Sequence, residues 1–166
     1  SLLALWEATR ASGHELLLEL ITPRDSTPSG TADAAVLRAV RRLYNLGLKP
    51  DWWKLAPMAP ASWQALGALI AERDPHCRGA VILGLNQPLA ELARGFAQAV
   101  HPIVKGFMVG RTLWAEASLA WLKGEIDDAA LVDAVAQRFT ALVDAWRATR
   151  DGGREATSET TTRQAA

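Results

Sequence analysis

Residues 79–85 read Gly79-Ala80-Val81-Ile82-Leu83-Gly84-Leu85. A run this short and this continuously apolar, bounded by glycine, has the character of a strand covered on both faces, the kind found in parallel sheets. Three runs of similar character lie to either side. Glu15-Leu16-Leu17-Leu18-Glu19-Leu20-Ile21 ends at Thr22-Pro23, Trp52-Trp53-Lys54-Leu55-Ala56 is closed by Pro57, and Ile103-Val104-Lys105-Gly106-Phe107-Met108-Val109 runs into Gly110-Arg111-Thr112. Helical spacing fills the intervals: through Ala11 with a stop at Gly13, then 32–46, 61–72, 88–100, 113–122 and 127–147. Val36, Val40, Leu43 and Tyr44 share one face of the second helix, Gly47 stands where a left-handed C-cap belongs, and Asp127 is placed to cap the last helix.

Strands alternating with helices specify an α/β fold around a parallel sheet, and the four strands are expected side by side in chain order over 15–21, 52–56, 80–85 and 104–109. Four parallel strands cannot close on themselves, so residues 1–150 are expected to be the C-terminal half of a (β/α)₈ TIM barrel. An open doubly wound sheet is the other solution, but no Gly-x-Gly-x-x-Gly turn follows a strand, which removes its dinucleotide-binding version. The chain starts at Ser1 inside a helical run, which reads as a segment of something longer. Residues 151–166 hold Gly, Ser, Thr, Glu, Arg and Gln with little that is apolar, and are expected to be a disordered tail.

Of 166 residues, 49% are hydrophobic and 22% charged, with 18 basic and 18 acidic side chains and a net charge of zero. That balance offers no footprint for nucleic acid or an anionic membrane. No apolar run reaches the roughly 18 residues of a membrane span, and the first residues lack the marks of a signal peptide. One cysteine, Cys77, permits no intramolecular disulfide and fits a reducing compartment, so the cytoplasm is expected. His14, His76 and His101 form no ligand-spaced pair, and neither a metal nor another cofactor is expected.

Chemistry in a barrel gathers at the C-terminal ends of its strands. Glu19 and Lys54 are charged residues set inside apolar strands near those ends. Period-two alternation puts Glu19 on a face with Leu17 and Ile21, and Lys54 on a face with Trp52 and Ala56. If both faces point inward, the two side chains are neighbours on strands about 4.8 Å apart. A desolvated lysine keeps a fraction of neutral amine able to attack a carbonyl carbon, and a nearby carboxylate can move protons as the Schiff base forms. A structural Lys–Glu pair is the plainer alternative. Gly84-Leu85-Asn86 and Gly110-Arg111 follow the last two strands, where barrels commonly hold phosphate with backbone N–H groups and a guanidinium. Of seven tryptophans, Trp6, Trp63, Trp114, Trp121 and Trp146 fall in helices and are expected to pack on the sheet, while Trp52 is placed to line the site.

The runs Pro50-Asp51-Trp52-Trp53-Lys54-Leu55, Arg78-Gly79 with Leu83-Gly84-Leu85, and Lys105 through Thr112 resemble the aldolase-like domain fused behind 5-dehydro-2-deoxygluconokinase in bacterial inositol catabolism. That domain is more distantly similar to class I tagatose 1,6-bisphosphate aldolases. The resemblance implies Lys54 as the Schiff-base lysine, Glu19 as the acid/base carboxylate, and Gly110 with Arg111 at the substrate phosphate, where the position of Gly84 after its strand also places that glycine. It implies as substrate 6-phospho-5-dehydro-2-deoxygluconate, cleaved to dihydroxyacetone phosphate and malonate semialdehyde. The resemblance implies a fused sugar kinase as partner, and the half-barrel reading adds a missing N-terminal half-barrel or a second copy of the chain. At one position the sequence departs from the family pattern: Ala56 stands where the lysine strand usually carries a glutamate. A non-catalytic structural or regulatory domain of the bifunctional kinase is the alternative.

Overall fold

The computed structural model describes residues 1–22 and 32–164, with side chains described as far as Asp151. The chain is an α/β protein whose four strands, β1 (Leu17–Glu19), β2 (Trp52–Leu55), β3 (Gly79–Leu83) and β4 (Val104–Met108), form one sheet in the order β1-β2-β3-β4. Every pairing is parallel. Helices α1 (Leu2–Ser12), α2 (Ala32–Asn45), α3 (Pro60–Arg73), α4 (Leu89–Gln98), α5 (Arg111–Leu122) and α6 (Asp128–Gln164) alternate with or follow the strands. Two compact units result: residues 1–83 with 101–108, which hold the whole sheet, and residues 84–100 with 109–166. The loop expected between the first strand and α2 lies outside the described residues.

In the first unit the core follows from alternation along β2. Trp53 and Leu55 are fully buried, whereas Trp52 and Lys54 retain contact with water. Trp53 meets Tyr44 of α2 edge-on at 5.6 Å and donates from its indole N–H to the Tyr44 hydroxyl at 2.9 Å. Val36, Val40 and Tyr44 bury one stripe of α2, and Trp63, Leu66, Leu69 and Ile70 bury one stripe of α3. Gly47, at φ 83, ends α2 with Leu48 N–H bonded back to the Leu43 carbonyl, the C-cap expected from its position. Pro60 opens α3, where its missing N–H costs nothing. α1 is bounded by Ser1 and by Gly13 in the left-handed region, and buries none of its residues.

β1 is shorter than the apolar run that contains it. Beyond Glu19 only the Leu20 N–H continues toward β2, bonding the Lys54 carbonyl at 3.0 Å, and Ile21 is exposed. At its start the Leu16 N–H bonds the Asp51 carboxylate at 2.8 Å. β3 is buried throughout. β4 carries a bulge: Ala80 faces Val104 while Val81 faces Gly106, which leaves Lys105 without an opposite number. Gly79 makes room for it. Its φ is 145°, and a Cβ there would lie 2.6 Å from the Ile103 carbonyl oxygen and 2.7 Å from the Lys105 side chain.

The second unit is helical. α6 contacts both α4 and α5, with Phe96 edge-on to Trp146 at 5.5 Å. Arg150 lies over the Trp146 ring at 3.8 Å and donates twice to the Ala99 carbonyl, at 3.0 and 3.1 Å. Asp127 caps α6 by accepting from the Ala130 N–H at 2.8 Å. One expectation needs correction here. Trp114 and Trp121 are exposed on α5 rather than packed away, and Trp121 instead donates to Asp128 at 2.7 Å. α6 spans Asp128–Gln164.

Asp74 is the one buried acidic or basic residue of the described core. Burial raises its carboxyl above the usual range, partly opposed by Lys49 and His76, and its Oδ2 has no hydrogen-bond partner. A carboxyl raised in the folded state favours unfolding as pH rises from the unfolded pKa of about 3.9 through the folded value, and the loss is complete above it. Asp74→Asn is therefore expected to raise the melting temperature at neutral pH, with the gain vanishing below about pH 3.9; a melting series against pH checks both ends. Gly79→Ala is expected to cost about 2–3 kcal/mol, since φ and the carbonyl contact both oppose a Cβ. Gly106→Ala, where a Cβ meets nothing within 4 Å, is expected to stay within about 0.5 kcal/mol. Urea denaturation of the two variants checks the contrast.

Candidate functional site

Register in a parallel sheet decides which side chains become neighbours. Glu19 lies opposite Lys54, Lys54 opposite Val81, and Val81 opposite Gly106, so the four form one row across the sheet. The row belongs to the less covered face, because the intervening β2 residues Trp53 and Leu55 are fully buried. Lys54 Nζ lies 3.2 Å from Glu19 Oε1, with the two side chains 18% and 41% exposed. Val81 on the other side is apolar, so Glu19 is the only charged neighbour that the row gives Lys54.

The row has space in front of it at the Gly106 end, where a Cβ would touch nothing. Trp52 precedes Lys54 by two residues on the same face, and its indole N–H donates to Glu15 Oε2 at 2.7 Å. Glu15 also pairs with Arg78 at 2.7 Å, which fixes the Trp52 ring beside the row. The lysine and carboxylate expected from the sequence are thus brought together, and Trp52 shares their face. Ala56 follows β2 and adds no carboxylate.

The remaining candidates belong to the second unit. Arg111 is the first residue of α5 and is exposed. It lines a cavity of about 520 Å³ together with Asn86 and Gln87 from the β3–α4 connection, Thr112 and Glu116 of α5, and Arg138 of α6. Gly110 is the N-cap of α5 and Pro88 that of α4, and neither supplies a side-chain cap. The first N–H groups of both helices are left to other partners. Gly84 serves packing first: a Cβ there would lie 2.4 Å from Val109 Cγ1 and 3.2 Å from Thr112 Oγ1. Leu85 and Asn86, next along, hold φ of 47° and 59°, a left-handed pair that turns the chain sharply after β3.

Arg138, Glu116 and Thr112 escaped the sequence reading. The Arg138–Glu116 ion pair joins α6 to α5 across 22 residues, and no local spacing signals a pair so far apart. Asn86, read from the sequence as part of the run after β3 where barrels hold phosphate, lines the cavity.

Other reactive side chains are otherwise engaged. Burial pushes the Cys77 thiol up to about 11, which keeps it protonated and a poor nucleophile. The His101 ring packs on Gly67 and its Nδ1 accepts from the Ile103 N–H at 3.2 Å, while burial lowers its pKa. Among the described residues, no three His, Cys, Asp or Glu side chains gather as a metal site, and no helix is long and apolar enough to cross a membrane.

Comparison with curated proteins finds no match. The model of one family, described as an uncharacterized protein conserved in bacteria, DUF2090, matches residues 1–150. A match of that extent covers all four strands and five of the six helices, and the chain belongs to the DUF2090 family.

Proposed function

We propose that the chain is the C-terminal half of a (β/α)₈ barrel and a class I aldolase-type lyase, with Lys54 as its Schiff-base lysine. The observation that carries the reading is the Lys54–Glu19 pair, set on the open face of a parallel sheet with a carboxylate oxygen 3.2 Å from the amine. The substrate proposed from the family resemblance is 6-phospho-5-dehydro-2-deoxygluconate, in inositol breakdown in the cytoplasm. Arg111 and Gly110, with Gly84 shaping the preceding loop, take its phosphate.

The Lys54 amine attacks the C5 ketone, and loss of water from the carbinolamine leaves an iminium. Removal of the C3 hydroxyl proton breaks the C3–C4 bond, and its electron pair moves into the iminium. Malonate semialdehyde departs, the enamine is protonated at C4, and hydrolysis returns dihydroxyacetone phosphate and the free amine. Glu19 is the acid and base within reach of Lys54. An N-terminal half-barrel, or a second copy of the chain, would complete the barrel; a fused sugar kinase is a further partner in this reading. A non-catalytic domain of such a kinase is the second reading, and Ala56 is the residue that favours it.

Borohydride reduction in the presence of dihydroxyacetone phosphate is expected to fix one adduct on the peptide containing Lys54, read by mass spectrometry, and Lys54→Ala to lose it. Glu19→Gln is expected to slow adduct formation about 10²-fold or more. No adduct, with or without a chain supplying the other strands, would leave the structural reading standing. β1 and β4 are both edge strands of the described sheet, and Ile21 and Met108 are exposed beside them, so the chain is also expected to self-associate. Light scattering should give a mass above 17.9 kDa; a clean monomer would count against the half-barrel.

A further inference from the structure

The cavity of the second unit holds more cationic machinery than one guanidinium. Arg111 and Arg138 both line it, from α5 and α6 respectively. Arg111 forms no ion pair among the described residues. Arg138 is engaged by Glu116, and the exposure of the two partners differs: 29% for the Arg138 side chain and 80% for that of Glu116. Arg138 is held in the wall, whereas Glu116 can return to water at little cost, since an exposed ion pair contributes little stability.

We infer that Arg138 and Arg111 together clamp the phosphate of a phosphate monoester in this cavity, and that Glu116 holds Arg138 until the anion displaces it. The inference deepens the phosphorylated-substrate reading above and rests on it for the kind of ligand. At about 520 Å³ the cavity has room for a phosphate with part of the molecule that carries it. Guanidinium groups bind phosphate oxygens in paired, charge-assisted hydrogen bonds, and a phosphate offers more negative charge and more acceptor oxygens than the Glu116 carboxylate. Thr112 belongs to the same wall, and its Oγ1 is buried with no partner. Asn86 and Gln87 bring amide side chains to the opposite loop, presented by the left-handed turn at Leu85 and Asn86. The uncapped start of α5 adds a field of the same sign.

The exchange makes a sign prediction that a structural ion pair would not. Titration of the full chain with inorganic phosphate, followed by calorimetry against chloride at matched ionic strength, is expected to show saturable binding. Arg138→Ala is expected to weaken it about tenfold or more. Glu116→Gln breaks the same α5–α6 bridge but removes the competitor, and is expected to tighten binding about threefold to tenfold. Opposite effects of the two variants support the clamp. Equal weakening in both would make the pair structural and overturn it, as would undiminished binding by Arg138→Ala or no binding by the unaltered chain. The titration contains no carbonyl compound, so its result is independent of whether Lys54 forms an adduct.

Discussion

A parallel sheet gives each strand two faces, and in this chain helices cover one of them closely enough that a charge there would be stranded. Trp53 and Leu55 fill that side of β2 completely. Lys54, between them, has only the other face available, and the same alternation on β1 sends Glu19 to it. Parallel register then sets Glu19 directly opposite Lys54. The ion pair at 3.2 Å is therefore a consequence of two-residue periodicity and strand direction, and everything proposed for the chemistry depends on those two constraints. A slip of one residue in the pairing would move one partner to the helical side, where burial without a partner is costly.

What could be read from the sequence follows the same division. The four strands are legible as short apolar runs bounded by Gly, Pro or Thr, because length and flanking residues separate a buried strand from a buried helix segment. Glu19 and Lys54 were legible because a charge inside such a run is rare enough to ask for a reason. The ends of the elements were not legible. Glu15 and Ile21 look like strand, yet Leu16 spends its N–H on Asp51, and hydrogen-bond partners 35 residues away leave no trace in local pattern. Nor does Arg138, whose partner is on another helix. Trp114 and Trp121 misled for the converse reason, since an aromatic residue at helical spacing can satisfy its N–H and remain exposed, as Trp121 does with Asp128.

The second unit gathers several strained or unpartnered groups near its cavity. Its buried residues, among them Leu92, Phe96, Leu113, Ala117 and Leu142, are ordinary core, and Arg150 closes one end by covering Trp146. Around the cavity the rules change. A leucine and an asparagine hold left-handed backbone, a threonine hydroxyl lacks a partner, and two helices start without side-chain caps. Each feature costs something that packing elsewhere must offset, and a fold selected for stability alone would have little reason to collect them along one wall. Gly84 shows the supporting side of the same design, because the absence of its Cβ lets Val109 and Thr112 close in behind the loop.

Ala56 leaves the proposed chemistry with a single carboxylate beside the lysine, so one group must carry every proton. The count closes. In the proposed scheme Glu19, paired with the Lys54 ammonium at the start, would accept its proton as the neutral amine attacks the ketone. It returns that proton to the carbinolamine hydroxyl, which leaves as water, and is ionised again when the C3 hydroxyl needs a base. Carbon–carbon cleavage protonates it, and protonation of the enamine at C4 restores the carboxylate. Hydrolysis repeats the first exchange in reverse and ends with the ammonium and carboxylate paired. At no step are two carboxyl groups needed at once, because each proton accepted is donated in the step that follows. A glutamate at position 56 would supply a second acid or a contact to substrate, which bears on rate and selectivity, while the sequence of bond changes requires only the pair that the sheet register brings together.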